Sequence, residues 1–102
     1  MTRRAKVLLR WLVNLPPNGQ SPRGTRFSRP ACFDHQGSDW KNCAWSLVIN
    51  TEGIPNAQGE QSATAQFLVA DAPHDWLSVG KRFTLYENVP LAEAVVEQIL
   101  PD

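Results

Sequence analysis

The sequence has no long apolar run. Its longest stretch, Val7 to Leu15, is broken by Arg10 and Asn14 and falls well short of the ~20 residues that a membrane-crossing helix needs. The basic start, Met1 to Lys6, is followed by neither the uninterrupted apolar segment nor the small-residue cleavage site of a signal peptide. Cysteine is scarce, with only Cys32 and Cys43. Small secreted domains usually carry more, so these two are expected as reduced thiols of a cytoplasmic protein. A single Cys32–Cys43 bridge is the alternative, and Cα separation decides between them.

Several chemistries also lack their residues. The two histidines, His35 and His74, show neither the Cys-x-x-Cys nor the His-x-x-x-His spacing of structural zinc. No cofactor is expected. No local signature supports Cys32 as a nucleophile with His35 or His74. Gly19 and Gly24 are not followed by the Gly-Lys-Ser/Thr ending of a phosphate loop. A binding protein is expected, not an enzyme.

Acid is missing from residues 1–30, which hold Arg3, Arg4, Lys6, Arg10, Arg23, Arg26 and Arg29. The remaining 72 residues hold three bases against all ten acids, a net of −7. Segregated charge of this kind attracts an anionic partner such as nucleic acid. It also arises when basic and acidic strands neutralise each other across one sheet.

What is present is a strand pattern. The chain of 102 residues has the length of one domain, about 100–200 residues, spanning 1–102. Lys6–Val13 places Val7, Leu9, Trp11 and Val13 on one face by the period of two. Asn14 to Thr25, with Pro16, Pro17, Gly19, Pro22 and Gly24, is a long loop, a length often functional or mobile. Arg29–His35 is a short strand with Ala31 and Phe33 on one side and Pro30 at its start or on an edge. Ala44–Asn50 alternates Trp45, Leu47 and Ile49 against Ser46 and Val48. Ser62–Val69 sends Ala63, Ala65, Phe67 and Val69 one way, and Lys81–Tyr86 sends Phe83 and Leu85 inward. Between the last two, Asp71–Gly80 is a connection with an apolar anchor at Trp76-Leu77. Leu91–Leu100 fits a helical face through Leu91, Ala92, Val95, Val96 and Ile99, with helix-favouring Ala and Glu. It fits a strand equally through Ala94, Val96, Gln98 and Leu100. Six strand candidates separated by turns predict an all-β barrel or sandwich.

Two segments stand out as binding candidates. In Arg23-Gly24-Thr25-Arg26-Phe27-Ser28-Arg29-Pro30, three arginines bracket a glycine and a phenylalanine. The planar guanidinium suits phosphate. Phe27 either offers a face to a base or tucks into the barrel end. Trp40, between Asp39 and Lys41 in a polar loop, is either a partner anchor or packs on the barrel rim.

Gly59-Glu60-Gln61-Ser62-Ala63-Thr64-Ala65-Gln66-Phe67-Leu68-Val69 is similar to the turn and strand after the Pro-Gly-Asp step in the third domain of elongation factor Tu. Val79-Gly80-Lys81-Arg82-Phe83-Thr84-Leu85-Tyr86-Glu87 is similar to its Gly-x-Arg-Phe-x-Ile-Arg-Glu segment. Upstream, Arg29-Pro30-Ala31-Cys32-Phe33 resembles its Arg-Pro-x-Phe strand. The resemblance implies a six-stranded antiparallel β-barrel, and it makes Leu91–Leu100 the last strand. The family's glycine-rich turn, which helps hold transfer RNA, is replaced here by Asn88-Val89-Pro90-Leu91-Ala92. No GTPase domain or second barrel accompanies the segment, so no nucleotide is expected. The family's barrel packs on partner proteins, so a stand-alone adaptor barrel that binds another protein through its rim loops is the expected function. An RNA- or transfer-RNA-binding module using Arg23, Arg26 and Arg29 with Arg3, Arg4 and Lys6 is the alternative. A second alternative is an immunity-type or regulatory protein whose acidic surface neutralises a basic partner.

Overall fold

The computed structural model describes residues 3–101; the Met1-Thr2 start of the basic segment lies outside them. Six strands close into an antiparallel barrel: β1 (Ala5–Trp11), β2 (Arg26–Phe33), β3 (Trp45–Thr51), β4 (Glu60–Phe67), β5 (Arg82–Glu87) and β6 (Val89–Ile99). Around the barrel the order is β1-β4-β3-β2-β5-β6. Short 3₁₀ turns at Trp40–Cys43 and His74–Trp76 are the helical elements among the described residues. No helix among those residues is long and apolar enough to cross a membrane.

The period of two builds the interior. Val7, Leu9 and Trp11 on β1, Ala63, Ala65 and Phe67 on β4, and Phe83 and Leu85 on β5 all point inward and are buried. A six-stranded barrel has a narrow bore that side chains must fill. Seven buried alanines, among them Ala31, Ala63, Ala65 and Ala94, leave space for rings. Phe33 occupies that space, with its centroid 5.8 Å from Phe67, 5.2 Å from Phe83 and 5.4 Å from Trp76. Of the expected core, Leu47, Phe67, Phe83 and Leu85 are buried, while Trp45 is half-buried and packs on the cluster from its edge.

Leu91–Leu100 belongs to a strand. β6 runs eleven residues and pairs with both β1 and β5, so ladders on two sides override a composition that favours helix locally. The turn from β5 into β6 is Asn88, with φ 68°, between the paired residues Glu87 and Val89. Asparagine tolerates this left-handed conformation better than most residues.

Other boundaries moved. β1 stops at Trp11, where the backbone N–H turns to the Gly59 carbonyl at 2.9 Å, so Val13 lies beyond the strand. β4 stops at Phe67, leaving Val69 exposed in the following connection. β2 begins at Arg26, three residues earlier than the pattern indicates, and Pro30 lies inside it. The strand accommodates Pro30 because the β2–β5 ladder covers only Ala31–Phe33. Asp34 N–H donates to Arg82 O on β5, and alternate residues of a strand bond to the same neighbour. The Pro30 nitrogen, four residues earlier, therefore faces β5 where that ladder has already ended.

The ring order has a consequence for the loops. β1 and β2 stand on opposite sides of the barrel, as do β4 and β5. Each connection must cross one mouth. Residues 68–81 cross one end and plug it with Leu77 and Ala72, both buried. Residues 12–25 cross the other end, and every one of them is exposed or half-buried.

Candidate functional site

The mouth crossed by residues 12–25 is lined by polar side chains at inward-facing register. Gln61 precedes Ala63 by one period on β4, Thr51 follows Ile49 on β3, and Glu87 follows Leu85 on β5. Each tethers the crossing loop. Gln61, 2 % exposed, donates through Nε2 to Ser21 Oγ at 2.7 Å and to the Gly53 carbonyl at 3.0 Å. Its Oε1 accepts the Trp11 indole N–H at 3.0 Å. Thr51 Oγ1 donates to the Gly24 carbonyl at 3.1 Å. Glu87 accepts Arg23 Nε at 2.7 Å and Nη2 at 3.0 Å in a forked pair. One mouth is thus sealed by buried apolar side chains and the other is strapped by hydrogen bonds.

Glu87 also accepts Arg29 Nε at 3.1 Å. Arg29 lies on β2 opposite Glu87, beyond the point where the β2–β5 ladder stops, so the ion pair spans the seam that the backbone leaves open. Two guanidiniums on one carboxylate shift both partners. The Arg23 hydrogen bonds first, and those of Arg29 after them, hold Glu87 below the usual carboxylate range against some desolvation. The Glu87 hydrogen bond holds the Arg23 guanidinium above its ordinary value.

The arginine segment therefore divides. Arg23 and Arg29 converge on Glu87, while Arg26 turns outward to Asn50 Oδ1 at 3.2 Å. Phe27 tucks into the barrel end, 8 % exposed, with its ring 5.7 Å from Trp11 and the Arg29 guanidinium 5.7 Å above it. It presents no open face for a base. Arg3, Arg4 and Lys6 lie at the opposite end of the barrel, because β1 starts where β2 finishes. Arg3 there donates to the Leu77 carbonyl at 2.9 Å. The topology does not bring the two basic groups together. Three of the N-terminal bases instead meet acids from the second half: Arg10 with Glu93, its register partner, and Arg23 and Arg29 with Glu87.

Trp40 packs on the outer face of β5, half-buried, its ring 4.6 Å from Tyr86. Cys32 is half-buried and Cys43 exposed, and both are free; burial pushes the Cys32 thiol up. His74 Nε2 meets the Ala70 carbonyl at 2.6 Å, and His35 stands edge-on to Trp76 at 4.3 Å. Among the described residues no three His, Cys, Asp or Glu side chains converge as metal ligands. An open groove of about 660 Å³ runs along the flank over Leu8, Cys32, Thr84 and Val95. Two of its bordering charges, Arg10 and Glu93, pair with each other, and a third, Asp34, pairs with Lys81 beyond its edge.

Sequence reasoning passes over Gln61 and Glu87, although the signal is present. Extending the alternation of Ala63-Ala65-Phe67 back one step, and of Phe83-Leu85 forward one step, lands on each.

The strapped mouth carries exposed apolar side chains at all three of its connections: Leu12 and Leu15 in the crossing segment, Ile54 between β3 and β4, and Val89, the first residue of β6 after Asn88. The plugged end shows Leu68, Val69 and Val79 on its own crossing segment, which also sends Leu77 and Ala72 into the core. No family model, curated protein or solved structure matches the chain, and what the strapped mouth does has to be argued from the residues that build it.

Proposed function

We propose that this chain is a non-catalytic barrel of the cytoplasm that binds another protein through its strapped mouth. One observation carries the reading: the fourteen-residue crossing segment, 12–25, buries none of its side chains and exposes Leu12 and Leu15. Long connections held on a rigid scaffold are where binding residues concentrate. Apolar side chains gathered on one end of a domain mark interaction surfaces. The resemblance of residues 59–100 to the third barrel of elongation factor Tu supports the same reading, since that barrel packs on partner proteins. Two free thiols suit a reducing compartment. RNA binding receives less support, because Phe27 is buried, Glu87 offsets Arg23 and Arg29, and the second basic group sits at the far end.

Site-specific photo-crosslinking tests the proposal in the cells that make the protein. A photoreactive residue at Leu15 should give discrete protein adducts, and one at Val79 should not. Equal labelling from both positions, or none from Leu15, would overturn it. Adducts to RNA from Leu15 would replace the protein reading with the nucleic-acid one.

A further inference from the structure

The crossing segment holds the pair Asn18-Gly19 in a tight turn. Gly19 N–H donates to the Pro16 carbonyl at 3.1 Å, closing the turn over Pro17 and Asn18. Asn18, Gly19 and Gln20 are all exposed. Gly19 has φ 77°, a conformation that glycine adopts at no steric cost. Beyond its chain neighbours, no heavy atom lies within 4 Å of the place a Cβ would occupy there. The Asn18 side chain folds back on the turn, and its Oδ1 accepts the Gln20 backbone N–H at 3.0 Å. That bond draws charge to Oδ1, the oxygen that turns negative when a nucleophile adds to Cγ.

Asn56 gives a comparison within the same molecule. Its Oδ1 likewise accepts the N–H two residues ahead, that of Gln58, at 3.0 Å. The residue between them is Ala57, whose Cβ crowds the approach of its own backbone nitrogen. The Asn56 amide is also held at both ends. Its Oδ1 takes the Glu60 N–H at 2.8 Å, and its Nδ2 donates to Glu60 Oε1 at 3.2 Å. The same side-chain turn is locked at Asn56 and open at Asn18.

We propose that Asn18 is a site of spontaneous modification, where the chain converts its own amide to a carboxylate on the segment that crosses the strapped mouth. The Gly19 nitrogen gives its proton to solvent and bonds to Asn18 Cγ. The Cγ–Nδ2 bond breaks, ammonia leaves, and a cyclic imide remains. Water then adds to one of the two imide carbonyls, and the ring C–N bond at that carbon breaks. Cleavage at Cγ gives aspartate. Cleavage at the main-chain carbonyl gives isoaspartate, with the backbone rerouted through the side chain. One water is consumed and one ammonia released, and nothing is oxidised or reduced. The product is the first acid within residues 1–30, which otherwise hold none. It stands ahead of the tethers at Ser21, Arg23 and Gly24, so the strap stays fastened while its free half gains a negative charge.

Incubation of the native protein in mildly alkaline buffer, followed by peptide mapping with mass spectrometry, gives the test. Asn18 should convert at a rate close to that of the urea-unfolded chain, and Asn56 should stay an amide in the folded protein. Both aspartate and isoaspartate should form at Asn18, the second read as methyl transfer by an isoaspartyl methyltransferase. Gly19→Ala puts a Cβ beside the attacking nitrogen and should slow conversion at least about tenfold. Asn18→Gln, which keeps Gly19, should remove most of the methyl-accepting capacity, and far-ultraviolet circular dichroism should report an unchanged barrel in both variants. A native Asn18 that stays an amide while the unfolded chain converts would overturn the proposal, as would equal conversion of Asn18 and Asn56. Aspartate without isoaspartate would overturn the imide route.

Discussion

The indole N–H of Trp11 donates to Gln61 Oε1 at 3.0 Å, joining a residue at the end of β1 to one near the start of β4 beneath the crossing loop. Both are buried. The amide is used at both ends: its oxygen takes the indole and its nitrogen reaches Ser21 and Gly53. Gln61→Leu keeps the volume and removes every one of these bonds, leaving the buried indole N–H without an acceptor. A loss of about 1–3 kcal/mol is expected, measured as a lower midpoint in a urea titration. Amide hydrogen exchange should rise at residues 20–25 more than in the strands.

Glu87 sets a pH dependence. Its carboxyl is held below the usual range, first by Arg23. A depressed acid contributes stability that is fully present above the ordinary carboxylate value and is lost as pH falls through the lowered one. The Arg23 end of the loop should therefore stay strapped at neutral pH and come free in acid, below the ordinary carboxylate range. Arg23 side-chain N–H signals should exchange faster in that window. Glu87→Gln should abolish the transition.

The two crossing segments should respond oppositely to truncation. Leu77, in the connection that plugs its mouth, is fully buried, and Leu77→Ala should cost about 2–5 kcal/mol, as for a core leucine. Leu15→Ala, on the other crossing, should stay within about 0.5 kcal/mol. Denaturant midpoints of the two variants check this.

The thiols should differ in rate and agree in number. Cys43 is exposed, whereas Cys32 is half-buried with its thiol pushed up by burial. A thiol reagent should modify Cys43 first in the native protein, because the thiolate is the reacting form and Cys32 holds less of it. Under denaturing, non-reducing conditions both cysteines should react.

Strands were legible where alternation was clean. Ala63-Ala65-Phe67 and Phe83-Leu85 indicate their faces directly, and the structure adds only the polar residue one step further on each. The segment from Arg26 to Arg29 was not legible as a strand, since three polar positions in four hide the alternation of Phe27 with Ala31. Leu91–Leu100 carries both periods, and only the two neighbouring ladders decide it. The ring order was beyond local reading altogether. It depends on which strands meet across the barrel, and it alone separates Arg3, Arg4 and Lys6 from Arg23, Arg26 and Arg29.

The pairing of β1 with β6 also governs when the barrel can form. Arg10 meets Glu93, 83 positions later in the chain, so the first strand lacks one of its two neighbours until β6 has been synthesised. The β3–β4 hairpin closes over a short span and can assemble early. The seam between the first and last strands cannot, and closing so long a loop is slow. Until then Val7, fully buried in the closed barrel, stands on a strand with one edge unpaired, and an unpaired edge is a template for pairing with other chains.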